Sequence, residues 1–170
     1  MKIRKAILSD AKGIAKVQVD SWRTTYHGIL PEDFLNSLSY EQQEQKWLRI
    51  IPQYHVFVAE NPEGEIIGFA SGGKNRFEEY GNYPGELYAI YILKDYQRVG
   101  IGKLLVKAIA DELVRQSMNS MIVLVLEENP SRYFYEALGA KLIARREDTI
   151  GGKKLTELVY GWDDIRNLKV

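Results

Sequence analysis

Glu86-Leu87-Tyr88-Ala89-Ile90-Tyr91-Ile92-Leu93, then Lys94-Asp95-Tyr96, then Gln97-Arg98-Val99-Gly100-Ile101-Gly102-Lys103, is the stretch on which the fold turns. Its first eight residues are almost wholly apolar and read as a buried strand. The two glycines punctuate it, and helical periodicity follows: Leu104, Leu105, Ala108, Ile109 and Leu113 fall on one face. Met121–Leu126 is a second short apolar run and reads as the next buried strand. A strand–helix–strand unit of this kind predicts two parallel strands joined by a right-handed crossover.

The loop itself admits several readings. Paired glycines at a strand-to-helix junction let the backbone approach a ligand and leave amide N–H groups unpaired. With the helix dipole behind them, such amides suit a diphosphate. Arg98 and Lys103 add positive charge. A Walker A loop fails, because Gln97 stands where its first glycine belongs and Leu104 where Ser or Thr belongs. A dinucleotide fingerprint fails, because Leu105 replaces its third glycine. A plain glycine-capped turn remains the simplest structural reading of the loop taken alone.

Outward from this centre the elements alternate. Lys2–Leu8 is β-like, and Ser9-Asp10 offers an N-cap to a helix carrying Ile14, Val17, Val19 and Trp22. Tyr26-His27-Gly28 breaks that helix and Pro31 reopens one, with helical sequence through Leu38 and again from Tyr40 to about Ile51. Residues 55–60 and 65–71 read as a hairpin around Asn61-Pro62-Glu63-Gly64, and 72–85 reads as loop. Ser131–Leu138 is a short helix stopped by Gly139, with Ser131 as a possible cap. Two last strands, about 141–149 and 154–162, flank Gly151-Gly152. The order is β, two helices, three strands, α, β, α and two strands. It predicts one α/β domain over residues 1–170: a mixed sheet, mainly antiparallel with a central parallel pair, and helices on both faces.

Composition narrows the function. Lys plus Arg and Asp plus Glu are 23 each, so the formal net charge is zero and gives no electrostatic footprint for nucleic acid. The absence of cysteine removes disulfides, zinc–thiolate sites and a cysteine nucleophile. Two histidines far apart give no metal-site spacing. No apolar run approaches a membrane span and the amino terminus does not read as a signal peptide, so the expected location is cytoplasmic.

A second motif joins the first. Asn129-Pro130-Ser131-Arg132-Tyr133-Phe134-Tyr135-Glu136-Ala137-Leu138-Gly139-Ala140 follows the Met121–Leu126 strand. Residues 86–105 resemble the coenzyme A-binding core of the GNAT superfamily, whose loop pattern is Gln/Arg-x-x-Gly-x-Gly/Ala. Residues 129–140 resemble its second motif, an Asn after a strand and then a Phe-Tyr-Glu helix ending at Gly. The two motifs occur in order with a helix and a strand between them, and element order matches along essentially the whole chain. The resemblance implies acetyl-coenzyme A as cofactor. The strand backbone at Ile90, Tyr91 and Ile92 would hold the pantetheine arm, and the loop at Gln97, Arg98, Val99, Gly100, Ile101, Gly102 and Lys103 the pyrophosphate. Asn129 would bond the pantetheine, and Tyr135 would sit by the thiol sulfur. Tyr135 stands six positions after Asn129 (129 to 135), where many members have seven, which shifts the helix start.

The chemistry this implies is N-acetylation. An alkylamine with a pKa near 10.4, as for Lys, is almost wholly protonated at neutral pH and must lose a proton before it attacks a thioester. A strand amide near Tyr91 or Ile92 is the natural oxyanion donor, and Tyr135 the donor to the leaving thiolate. With no cysteine, direct attack in a ternary complex is the simplest scheme. In many GNAT proteins a Glu on the coenzyme strand serves as base, often through water, and Glu86 is that residue here. Strand alternation places Glu86, Tyr88, Ile90 and Ile92 on one face; Glu127 and Glu128 are alternatives. Residues 21–28 look like the helix-to-helix loop of a subgroup of bacterial GNAT proteins, so Trp22 and Tyr26 are candidate walls of the acceptor pocket, with Tyr80 and Tyr83 opposite.

The leading expectation is an N-acetyltransferase acting on a primary amine of a small molecule. One alternative is a protein or peptide N-terminal acetyltransferase. Bacterial ribosomal-protein acetylases carry a catalytic Glu five residues before the second-motif Asn, and Leu124 occupies that position. The other alternative is a non-catalytic acyl-coenzyme A sensor. Neither nucleic acid nor membrane is an expected partner, and a homodimer is the default assembly.

Overall fold

The computed structural model describes residues 1–168. β1 (Lys2–Lys5) precedes three helices, α1 (Ala11–Thr25), α2 (Glu32–Ser37) and α3 (Tyr40–Ile50). Next come β2 (His55–Glu60), β3 (Ile66–Lys74) and β4 (Gly85–Ile92). Then follow α4 (Ile101–Arg115), β5 (Met121–Leu126), α5 (Ser131–Ala137), β6 (Lys141–Ile150) and β7 (Lys153–Trp162). The strands form one sheet in the order β1-β2-β3-β4-β5-β7-β6. β4 and β5 are parallel, with α4 as their crossover, and the other neighbours are antiparallel. This is the mixed α/β sheet expected from the sequence. Among the described residues no helix is long and apolar enough to cross a membrane.

Several local expectations change. The second helical stretch is two helices, because Leu38 and Ser39 are extended and the Ser39 hydroxyl accepts the Gln42 N–H (3.3 Å) to start α3. Asp10 stands before α1 without capping it. Its carboxylate instead accepts the Ile7 N–H (2.8 Å) and the Arg4 guanidinium (2.8 and 3.0 Å), across a short 3-10 turn, Leu8–Asp10. Asn129 rather than Ser131 satisfies the start of α5, its Oδ1 accepting the Ser131 N–H at 2.9 Å. Gly139 does end α5, with φ 96° and the Ala140 N–H bonded back to the Tyr135 carbonyl (3.1 Å).

Strand β3 continues three residues past the expected Ser71, pairing Gly72, Gly73 and Lys74 with Leu87, Glu86 and Gly85. The glycines there mark close approach, not a loop. A Cβ at Gly72 would stand 2.7 Å from the Ile109 side chain and 2.9 Å from the Glu86 carbonyl oxygen.

The core has two sides. α4 lays Leu105, Ile109 and Leu113 on one face of the sheet, against Ile67, Leu87 and Met121. α1 and α3 cover the other face, where Ile14, Val17 and Trp47 meet Val56, Val58 and Phe69. Alternation along β4 is interrupted. Ser71 pairs with Ala89 but Gly72 with Leu87, so Tyr88 is an extra residue in a bulge. Leu87, Ile90 and Ile92 therefore pack on the α4 side, and Ala89 and Tyr91 on the α1 side. Glu86 pairs with Ile122, whose neighbours in register, Met121 and Val123, face α4. Glu86 thus points to the α1 side. The expected common face for Glu86, Ile90 and Ile92 is overturned by the bulge, because one inserted residue inverts every position before it.

Gly72→Ala forces a methyl into the α4–sheet contact. Urea unfolding of this variant is expected to show a loss of about 1–3 kcal/mol, as for overpacked cores; unchanged stability would contradict the close packing described.

Candidate active site

The parallel ladder between β4 and β5 covers only Gly85–Leu87 against Met121–Val123. Beyond it the two strands part, and a cleft of about 890 Å³ opens between them. The Leu93 N–H bonds the Ile67 carbonyl of β3 (2.9 Å). By alternation the backbone groups of Tyr91 also face β3, while those of Ile92 and Ile90 face the gap. The Gln97 side-chain amide donates to the Ile92 carbonyl (2.9 Å). The Ile92 N–H, and both backbone groups of Ile90, thus point at the gap with no strand beside them.

The phosphate-type loop closes one end of the cleft. Arg98 (φ 65°) and Gly100 (φ 89°) both take left-handed conformations, and Gly100 is the residue before α4. The Leu104 N–H bonds the Gly100 carbonyl (3.4 Å), so the amides of Ile101, Gly102 and Lys103 have no acceptor within the helix. Gln97, Arg98, Gly100, Gly102 and Lys103 line the cleft. Val99 projects into solvent, 69% exposed, and the Ile101 side chain is buried under α4. Neither side chain lines the cleft. Gly102 has a packing reason too: a Cβ there would press on Phe134 at 3.1 Å.

The other end is set by α5. Tyr135 is buried, its ring edge-on to Trp162 at 6.0 Å, and it lines the cleft. Among the described residues its hydroxyl has no hydrogen-bond partner. Burial, and then the neighbouring Tyr26, hold its pKa above the usual phenol value, so the hydroxyl keeps its proton at neutral pH. Asn129 is also buried and donates to the Tyr26 hydroxyl (3.4 Å), which lies 3.3 Å from the Tyr91 hydroxyl. Burial raises the pKa of Tyr26 and Tyr91 as well, so this trio is neutral.

On the α1 side the cleft becomes a chamber. The end of α1 provides Trp22 and Tyr26, with ring centroids 4.9 Å apart. Glu86 is 1% exposed, and its carboxylate accepts the Arg76 backbone N–H (3.1 Å), Nε (3.2 Å) and Nη2 (2.8 Å). The Arg76 guanidinium also lies 4.1 Å from the centre of the Tyr88 ring. Glu157 pairs in register with Leu126 on one side and Arg146 on the other, which puts it on the same sheet face as Glu86. Its nearest cation is Arg146, at 3.5 Å. Burial first, and then Asp148, push the Glu157 pKa above the ordinary carboxylate value.

Comparison with known proteins fits this geometry. The acetyltransferase (GNAT) family pattern matches residues 18–140. The chain belongs to the GNAT family of acetyltransferases. It is 47% identical over 167 residues to the uncharacterized N-acetyltransferase YuaI of Bacillus subtilis (strain 168), covering 98% of this chain and 95% of that protein. The fold is that of the PaiA N-acetyltransferase of Thermoplasma acidophilum, solved in complex with coenzyme A. The TM-score is 0.73 at 24% identity, over 92% of this chain and 96% of that one. It is also that of yncA from Salmonella typhimurium, solved with its cofactor acetyl-CoA. There the TM-score is 0.70 at 21% identity, over 95% and 92% of the two chains.

Within this GNAT frame some sequence candidates are brought together and others are not. Trp22, Tyr26, Glu86, Tyr91, Asn129 and Tyr135 line one cleft. Glu127 forms an ion pair with Arg145 and Glu128 is exposed, both outside it. His27 is exposed, and His55 lies beside Glu112 (3.8 Å). Tyr83 is buried elsewhere, donating to Asp163 (2.7 Å), and Tyr80 packs on Phe77. The long loop instead contributes Arg76 and Phe77 to the wall. Sequence reasoning missed Glu157, Arg146 and Asp148. The available signal was alternation in β7: Leu155, Glu157 and Val159 share a face, and a carboxylate between two inward apolar residues marks a polar hollow.

Arg76→Ala leaves the Glu86 carboxylate buried without its cation. Chemical denaturation is expected to show a loss of about 1.5–3 kcal/mol, the usual worth of hydrogen bonds to a charged group. A variant as stable as the parent would mean the pair does not hold the wall.

Proposed function

We propose that the chain transfers an acetyl group from acetyl-coenzyme A to a primary amine of a small molecule, by direct attack in a ternary complex. The observation that carries this reading is the cleft itself, which runs between β4 and β5 and opens to both faces of the sheet. The cofactor fits what lines it. The unpartnered Ile90 backbone groups suit the amides of a pantetheine arm, which would lie along β4 as a substitute strand beside Tyr91 and reach Asn129. The amides from Arg98 to Lys103, with the Arg98 and Lys103 side chains, suit a pyrophosphate.

The thioester would then sit in the gap. The Ile92 N–H would donate to the oxyanion. The Tyr135 hydroxyl, with no hydrogen-bond partner among the described residues, would protonate the departing thiolate. The acceptor would enter from the α1 side, between Trp22 and Tyr26 and the Arg76–Glu86 pair. Enclosing aromatic walls favour a small molecule over a protein terminus. Leu124 offers no carboxylate for the protein N-terminal acetylase scheme. A hydroxyl without a partner beside the thioester position favours turnover over sensing.

A panel of amines (polyamines, aminoglycosides, amino acids and peptides) assayed for coenzyme A release tests the reading; release that no amine stimulates would contradict it. Tyr135→Phe keeps the ring and its packing on Trp162. Turnover is expected to fall by about 10²–10⁴-fold, the usual worth of proton-transfer catalysis, with coenzyme A affinity by calorimetry unchanged. Wild-type turnover, measured where chemistry limits the rate, would remove Tyr135 from the mechanism.

A further inference from the structure

We propose that Glu157, and not Glu86, takes the proton from the acceptor ammonium. This rests on the amine-acetylation reading above and names the group that serves it. The two carboxylates share one face of the sheet and one chamber, but their surroundings differ. Both oxygens of Glu86 are committed to Arg76 through three hydrogen bonds. A proton arriving there would have to displace a cation held by the same atoms.

Among the described residues the Glu157 carboxylate makes no hydrogen bond. Its one charged contact, Arg146 at 3.5 Å, is looser, and that guanidinium also stacks on Phe77, 4.8 Å from the ring centre. The Glu157 side chain is 17% exposed and lines the cleft, so its lone pairs are open to the chamber.

The groups that face Glu157 come from each neighbouring element: Arg146 and Asp148 on β6, Glu86 on β4 and Tyr26 at the end of α1. Asp148 and Glu86 disfavour its charge and Arg146 favours it, while burial disfavours it most. The result is a carboxylate more basic than usual, nearer the working pH, as proton acceptors require. The neutral trio of Tyr26, Tyr91 and Asn129 lies between this chamber and Tyr135.

The proton balance closes without a further reactant. The ammonium gives one proton to Glu157, directly or through water, and Glu157 returns it to solvent. The freed amine forms the N–C bond at the thioester carbonyl, and the C–S bond breaks. The thiolate takes the Tyr135 proton, and the second proton lost from nitrogen restores Tyr135. The products are the N-acetyl amine, coenzyme A and one proton.

The test is the pH profile of kcat/KM for coenzyme A release, using the panel amine with the highest turnover. The rate should rise with pH as Glu157 loses its proton, giving an acidic limb. Glu157→Gln is expected to replace that limb by one that follows only the amine's own pKa, and to lower kcat/KM by about 10²–10⁴-fold, with coenzyme A affinity by calorimetry intact. Glu157→Asp and Glu86→Gln should both keep the limb. A limb unchanged in position in Glu157→Gln, or one that moves only in Glu86→Gln, overturns the proposal while leaving amine acetylation standing. No amine-stimulated release by the wild type overturns both. Should the Glu157 variants not fold, carbon-13 NMR titration of the wild-type carboxyl decides. Titration above the ordinary Glu value of about 4.3 supports the assignment, and titration at or below it overturns it.

Discussion

β4 and β5 stop pairing after Leu87 and Val123, and the site depends on that short ladder. A strand interior normally has every N–H and C=O engaged, because an unpaired buried amide costs about as much as a lost hydrogen bond. Here Ile90 and Ile92 keep groups facing a gap that is wide enough for a ligand. Parting the strands also connects the two sheet faces. Otherwise the α4 side, with Tyr135, and the α1 side, with Trp22 and Tyr26, would be separate surfaces. The bulge at Tyr88 belongs to the same arrangement, since it sends Glu86 to the α1 side while keeping Ile90 and Ile92 on the α4 core.

Charge is distributed along the cleft to match. The phosphate-type loop carries Arg98 and Lys103 beside unpaired amides and has no carboxylate among the residues that line it. The α1-side chamber carries Glu86, Asp148 and Glu157 against Arg76 and Arg146. The two ends of the cleft therefore differ in charge, cationic at the loop and rich in carboxylates on the α1 side. Between them lie neutral groups, Tyr26, Tyr91, Asn129 and Tyr135.

Much of this fold is legible in the amino-acid sequence. Apolar runs and their periods locate the central strands and the main helices, because those segments are buried and burial writes the pattern; the edge strands β1 and β6 have no buried residue. The Gly100–Gly102 pair and the Asn129–Tyr135 spacing mark the two ends of the site. What the sequence hides depends on tertiary contact. Gly72 and Gly73 read as loop residues, yet they extend β3, because α4 and Tyr88 press on them. A bulge has no sequence marker at Tyr88, so plain alternation assigns Glu86 to the wrong side of the sheet. Arg76 lies ten positions before Glu86, and only the antiparallel return of β3 into β4 brings them together. Glu157, Arg146 and Asp148 sit on a hairpin whose sequence shows alternation but not which element faces it.

Amide hydrogen exchange tests the parted strands most directly. In the free protein the Ile92 N–H and Ile90 N–H should exchange far faster than the Leu93 N–H, which is bonded to β3. Saturating coenzyme A should then protect Ile90 and Ile92, together with the amides of residues 101–103, and leave the Leu93 amide unchanged. Ile90 and Ile92 amides already protected in the free protein, or exchange there that coenzyme A does not alter, would contradict the account.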